Sequence, residues 1–596
     1  MPYNMSDSTL EKSKSKINIK KIWEHLINLS NFRNRIAGTE EIKSASSYIR
    51  DHLVKLNGIK VWIDNFPLLT SYPIKSTFEI LEPVHKKIES FPNLFSKNTP
   101  PQGLIGNIVY VGGGDEHDYH GKNVRNNFAL AELSYTPPRP EKAFIAKTKG
   151  AKGLIIMNWG DKNNKIIGRG AIKWIWGLPT PEEINKIPKI PSINISRTDG
   201  EYLKKLLDEF NSVKAKIEVK VKNEWVIANQ PMCRIYPSKS DFKELVIVGG
   251  HLEAWGGTAT DNSAGNAIML EIARVLSENR KHLVRGIIIG FWDGHEIGEA
   301  AGSSWFVDNY WSEINNYGVA YINIDGCGIK GADRFISYSS PETWKFLEDV
   351  EKQILGKPSE KKLPLKIGDN SFLGIGIPYI FTFATYAEDE LERVGGALFG
   401  WWYHSDEDTL DKIDKNLLEL QAQLYLKYIL KLSTETIIPF DFEPYIDILI
   451  SETLEVNKIF SKRLDTSFLN ELLDKIKSLK VKINEFNKAI IEIKENGRKS
   501  FKIEMINKTL LNLSRFLTPA FRSTVDRYSH DPYGYRFLTK PLPRIYLILN
   551  KIAKIKPNTQ EYNTLIIKLK KQLNMLHDAL DNCIMITDLT LKLISK

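Results

Sequence analysis

The chain has 596 residues, 42% hydrophobic and 26% charged, with a formal net charge of +10; at roughly 150 residues per domain this predicts three or four folded domains. Its lysines are scattered and interleaved with Asp and Glu, so the charge reads as solvated surface and a nucleic-acid partner is not expected. Cys233, Cys327 and Cys583 are too few and too far apart for a disulfide framework, residues 1–20 lack an apolar leader core, and no run of about 18 apolar residues occurs, so the expected address is cytoplasmic with no membrane partner.

In chain order, residues 18–70 predict two helices and then a strand. Residues 45–56 carry apolar side chains at helical spacing, Gly58 stops the helix, and residues 59–64 alternate as a strand does. Residues 71–230 are richer in Pro and Gly and hold short β-like runs at 106–111 and 153–157, which reads as an inserted domain. From 231 to 435, apolar runs at 245–248, 286–291 and 319–324 alternate with helical stretches, the pattern of strands buried on both faces of an α/β sheet. From 436 to 596 nearly everything reads as helix, with long amphipathic stretches at 468–495 and 562–594 and a Pro-, Gly- and Tyr-containing break at 528–543.

Metal-binding side chains sit where the apolar strands end. His251 follows Val246-Ile-Val-Gly-Gly250, Asp261 comes ten residues later, Glu296 lies just past the next strand, Asp325 ends the one after, and His404 falls in Trp402-Tyr-His-Ser405. In open α/β sheets ligands gather outside the carboxyl ends of strands. Imidazole and carboxylate together suit Zn²⁺. Any one of these residues alone would more often be a cap or a structural side chain; five in this arrangement predict a metal site.

The motifs around them resemble those of the co-catalytic two-zinc exopeptidases, the aminopeptidase and glutamate carboxypeptidase branch. Gly249-Gly-His251 through Asp261-Asn-Ser-Ala-Gly265 is similar to the first metal motif, Phe291-Trp-Asp-Gly-His-Glu296 to the second, Tyr321-Ile-Asn-Ile-Asp325 to the third, and Tyr403-His-Ser405 with Asp408-Thr409 to the fourth. Arg35-Ile-Ala-Gly-Thr39 resembles the family's N-terminal signature; residues 150–156 and 190–200 resemble parts of a protease-associated domain; Pro543-Arg-Ile-Tyr546 resembles the helical dimerisation domain of the transferrin receptor branch. The resemblance implies a mixed-sheet α/β zinc-peptidase core (residues 1–70 and 231–435), a β-rich protease-associated insertion (71–230) and a C-terminal helical dimerisation domain (436–596), with a homodimer as the expected assembly.

It also implies two Zn²⁺, with other divalent ions left open, bridged by Asp261. One ion would take Asp325 and His404, the other His251 and Glu296, and Tyr403 would hydrogen-bond the developing oxyanion. The family carries two adjacent glutamates in the second motif, a base and then a ligand; here the base position holds His295. The family's aspartate two residues after the first histidine is Glu253 here. His295 as base, Glu253 as base, and a site that binds metal and ligand without peptidase chemistry are the three readings that follow. For substrate contacts, the aromatic residues Trp401 and Trp402 beside His404 are pocket or core; Tyr533 stands where glutamate carboxypeptidase grips a carboxylate with a tyrosine, the lysine of that grip is Pro532 here, and Arg536 is the candidate to supply the charge instead. The expected function is zinc-dependent hydrolysis of a peptide or small amide bond; the alternative is a metal- and ligand-binding protein of the same fold.

Overall fold

The computed structural model describes residues 17–240, 242–496, 500–532 and 538–595. The expected mixed α/β fold is present: two eight-stranded mixed sheets and a helical C-terminal region. The sheet that carries the metal-binding side chains runs, edge to edge, Ile59–Asp64, Gln230–Ile235, Gly286–Trp292, Leu245–His251, Gly318–Asn323, Tyr379–Thr385, Arg334–Ser339 and Glu360–Lys362. Its four central strands are parallel, with Gly249 opposite both Gly290 and Asn323. All four are buried along their whole length, as their nearly unbroken apolar sequences require.

Helices cover both faces. The helix Ala264–Glu278, apolar on most of its circumference, follows directly from the loop holding Asp261, and Lys415–Thr434 packs beside it. Gly250 allows the strand ends to close on one another: a Cβ there would lie 2.2 Å from the Ile324 carbonyl oxygen and 2.9 Å from the Asn262 amide. The sequence reading found three of these eight strands together with Ile59–Asp64. It missed Gln230–Ile235, Arg334–Ser339 and Glu360–Lys362, which are short or partly polar, and the aromatic run Tyr379–Thr385.

The second sheet takes its strands from the chain between Pro67 and Ile227. The long antiparallel pair Pro67–Glu82 and Lys214–Ile227 leads out of the first sheet and back into it. Beyond residue 436 the chain is helical: Glu443–Phe460, Phe468–Asn496, Ser500–Arg522, Pro543–Ile552 and Gln560–Ile594 pack on one another. Arg515, in the third of these, is 5% exposed and points its guanidinium back at the core, donating to the carbonyls of Ile314, Asn315, Gly318 and Gly376. Among the described residues no helix is long and apolar enough to cross a membrane.

Candidate metal centre

Each ligand candidate leaves the carboxyl end of a strand or the loop after it, and the sheet brings all five together. His251 is the last residue of its strand; Glu296 and Asp325 follow the strands on either side. The Oδ1 of Asp261 lies 2.9 Å from His251 Nε2, and its Oδ2 lies 3.2 Å from His404 Nε2. His251 Nε2 is also 3.3 Å from Asp325 Oδ1, and His404 Nε2 is 3.1 Å from Glu296 Oε2. Two groups therefore share Asp261: His251 with Asp325, and His404 with Glu296. The shortest distances thus differ from the expected pairing of Asp325 with His404 and of His251 with Glu296, while His251, Asp261 and Glu296 also bring donor atoms within 4.8 Å of one another. Which partners meet depends on how each side chain leaves its strand end, and that is not written in motif order.

The partners behind the ligands fix their orientation. His404 Nδ1 faces the carbonyl of Arg169 at 3.1 Å and the Arg169 N–H donates to the His404 carbonyl at 2.9 Å, while His251 Nδ1 faces the Glu253 carbonyl at 2.9 Å. Nδ1–H donation to carbonyls assigns the tautomer that leaves each Nε2 toward the carboxylates. Trp255 Nε1 donates to Glu296 Oε2 at 3.0 Å, and Asp408 accepts from the Thr260 hydroxyl and from the N–H groups of Thr260 and Asp261, which holds the Asp261 loop. His404 itself has φ = 60°, a left-handed backbone rare for a non-glycine residue and common where function over-determines geometry.

The donor set fits zinc. His251 Nε2, His404 Nε2, Asp261 Oδ1 and Glu296 Oε1 are buried atoms with no well-formed hydrogen bond, the condition of atoms that await an ion. Burial works against charge on His404, yet Glu296 and Asp261 outweigh it and hold the imidazole up at about 9; His251 is likewise held well above its ordinary range by Asp325 and Asp261. Those carboxylates would serve a divalent cation as they serve the imidazolium protons.

His295 stands beside this group. Its Nδ1 lies 3.1 Å from Oδ1 of the fully buried Asp369, and its ring stacks on His251 with centroids 4.4 Å apart and planes 14° apart. His251, His295 and Asp325 do bring donor atoms within 4.8 Å of one another. Nearly parallel rings, however, aim their in-plane lone pairs along parallel lines, so His295 and His251 do not converge on one ion. Burial lowers the basicity of His295, but Asp369 more than restores it, to about 9.

Glu253 does not reach the site as a base. Its Oε1 accepts from the Ala37 N–H at 2.9 Å and its Oε2 from the N–H groups of Glu296 and Ile297 at 2.8 and 3.3 Å. The extra methylene sends the carboxylate to the backbone that carries Glu296.

The centre opens into a cavity of about 460 Å³. One wall comes from the second-sheet segment, through residues 133–140, Trp159, Gly170 and Ala171; the other comes from Tyr338, Phe381, Phe383, Phe399 and Tyr403 with the ligands Glu296, Asp325 and His404. Tyr403 lines it and stacks on His404 with centroids 3.9 Å apart. Trp401 and Trp402 do not line it. Trp402 is 5% exposed, donates to the Thr260 hydroxyl at 3.3 Å and packs with Ile329, Tyr386, Val394 and Ala397, so it is core, and Trp401 packs half-buried against the same cluster. Tyr533 and Arg536 lie outside the described residues. The sequence reading missed Asp369 as a partner of His295, the Arg169 carbonyl behind His404, and Glu299 on the cavity wall.

Comparison with known proteins agrees with this fold. Residues 232–429 match the model of peptidase family M28 and form a domain of that family. Probable glutamate carboxypeptidase AMP1 of Arabidopsis thaliana is 22% identical over 546 residues, covering 78% of this chain and 73% of the relative. Transferrin receptor protein 2 of Mus musculus is 23% identical over 522 residues, covering 73% of this chain and 63% of its own length. Among solved structures, the zinc aminopeptidase BSAP of Bacillus subtilis superposes with a TM-score of 0.52 at 22% identity, over 69% of this chain and 95% of that one.

Proposed function

We propose that this chain is a zinc-dependent hydrolase that cleaves a peptide or small amide bond in an exopeptidase-like manner, with His251, Asp261, Glu296, Asp325 and His404 as the residues that would hold two ions. The single observation that carries the reading is the pair of histidine–carboxylate groups joined through Asp261 at the floor of the aromatic cavity. Zinc bound by these side chains would supply a water acidified toward a pKa of about 7 and a Lewis acid for the scissile carbonyl.

The residues of the chain do the rest. Asp369 favours the imidazolium of His295 and the charge of bound zinc would oppose it; in the neutral ring, with Nδ1–H donated to Asp369, Nε2 would be the proton acceptor, and Asp369 would stabilise the imidazolium formed when the ring takes a proton from the attacking water. That proton then passes from His295 to the leaving amine. Tyr403, on the cavity wall beside His404, is placed to donate to the carbonyl oxygen as charge develops on it. The walls exclude water from the reacting bond. A second reading, metal and ligand binding without peptidase turnover, is favoured by one observation, the imidazole standing where the family has a carboxylate base.

The two readings separate on three zinc-loaded proteins, wild type, His295→Ala and His295→Glu, assayed on peptides, acylated amino acids and small amides. Hydrolysis with His295 as base predicts wild-type turnover that falls about 10²- to 10⁴-fold in His295→Ala. An inert wild type together with an active His295→Glu would instead establish the binding reading.

A further inference from the structure

Glu299 lies three residues beyond the ligand Glu296, on the wall of the same cavity, and is 8% exposed. It occupies an unusual backbone: φ is 49° at Glu299 and 61° at Ala300, two successive non-glycine residues in the left-handed region. The turn is pinned from both sides. The Ala300 N–H donates to the His295 carbonyl at 3.1 Å, and the Gly177 N–H donates to the Glu299 carbonyl at 2.7 Å. Such strain persists where surrounding structure imposes it, and it collects at binding and catalytic sites.

The Glu299 carboxylate has no hydrogen-bond or ion-pair partner among the described residues; only longer-range charges act on it. Lys173, the nearest of these in effect, is committed elsewhere, with its ammonium donating to the carbonyls of Gly177 and Gly298. Burial pushes the Glu299 carboxyl up to about 8, with Lys173 opposing. Burial thus favours the neutral acid, and an entering cation that pairs with the carboxylate draws off that proton and completes a side chain that has no other hydrogen-bond partner among the described residues. The walls around it are aromatic, including Trp159, Phe381, Phe383 and Phe399.

We propose that Glu299 is the specificity-determining residue of the cavity, reading a primary ammonium on a substrate whose apolar or aromatic body lies against those walls. The assignment rests on the hydrolase reading for the identity of the site and adds the charge of what enters it. An ammonium brought into this desolvated space pairs with Glu299 at short range, where the attraction is far stronger than in water. An acylated or otherwise neutral analogue leaves the carboxylate unpaired and is rejected for that reason.

The test is binding, measured by calorimetry on zinc-loaded and metal-stripped protein, so that turnover is not needed. The ligands are L-phenylalaninamide, its N-acetyl derivative, and N-acetyl-L-lysinamide, which carries its ammonium on the side chain. In both metal states the wild type is expected to bind one of the two amines at least tenfold more tightly than N-acetylphenylalaninamide; which amine wins assigns the α-amino group or the side-chain amine. Glu299→Gln and Glu299→Leu, each checked for an unchanged melting curve, are expected to remove that preference while moving the affinity for the acetylated amide by less than about twofold. Unchanged amine binding in both variants, or an equal loss for all three ligands, overturns the proposal. Absence of amide hydrolysis by the zinc-loaded wild type would overturn the hydrolase reading alone, since the binding preference is scored separately.

Discussion

Glu253 accepts three backbone N–H groups, two of them from Glu296 and Ile297, so its work is to hold the ligand-bearing loop. An amide in its place would turn an N–H₂ group toward backbone donors, which costs about 1–3 kcal/mol for each buried group left unsatisfied. Glu253→Gln is therefore expected to lower unfolding stability by about that much in urea titrations. Were Glu253 the proton acceptor, the same variant would keep its stability and lose turnover by about 10²-fold or more. The five ligand candidates were legible in the sequence because imidazole and carboxylate at strand ends have few other reasons to recur in this order. Their grouping was not legible, nor was Asp369 behind His295 across 74 residues, nor the Arg169 carbonyl behind His404 across 235. A backbone carbonyl has no side-chain signature, and an aspartate in a loop looks the same whether or not it orients a histidine. Trp401 and Trp402, open in the sequence as pocket or core, pack in and against a core cluster, while Phe381 and Phe383, on a buried strand, reach the cavity.

At the scale of elements, two contacts bind the helices to the core and each can be tested. The guanidinium of Arg515 joins the helix Ser500–Arg522 to the start of the strand Gly318–Asn323, whose far end leads to Asp325. Arg515→Ala strands several buried carbonyls and is expected to cost about 3 kcal/mol or more. Arg515→Lys should recover less than half of this, because an ammonium cannot reproduce the forked geometry; recovery to wild-type stability would contradict the account. His25, on the helix Ile19–Ser30, meets Tyr48 and His52 of the helix Glu40–Leu53 and is near Lys21 on its own helix. Burial first, then His52 and Lys21, push its pKa from 6.5 down to about 4. The unfolded chain takes up that proton near pH 6.5 and the folded chain does not, so the contribution is full above pH 6.5 and is lost as the pH falls through about 4. The stability difference between wild type and His25→Gln should shrink by about 1–3 kcal/mol from pH 7 to pH 4; a pH-independent difference would show that His25 titrates normally in the fold.

For the whole molecule, the centre is assembled from distant parts of the chain. The first sheet supplies the ligands at its strand ends, the chain of the second sheet supplies Arg169 behind His404 and one wall of the cavity, and the helical region braces the sheet from the other end. The alternation of buried strands with helices and the all-helical C-terminal stretch made the two kinds of region visible in sequence. The meeting of the second-sheet segment with His404 was not visible, since it depends on how the two sheets face each other. The account stands on metal-dependent amide hydrolysis at this centre. The most direct test is turnover of a peptide and small-amide panel by the zinc-loaded chain, by the same chain after chelation, and after zinc is returned. The account predicts hydrolysis of at least one member, its loss on chelation, and its recovery with about two zinc ions per chain. No turnover on any member with zinc stoichiometrically bound, or turnover indifferent to the chelator, would contradict it.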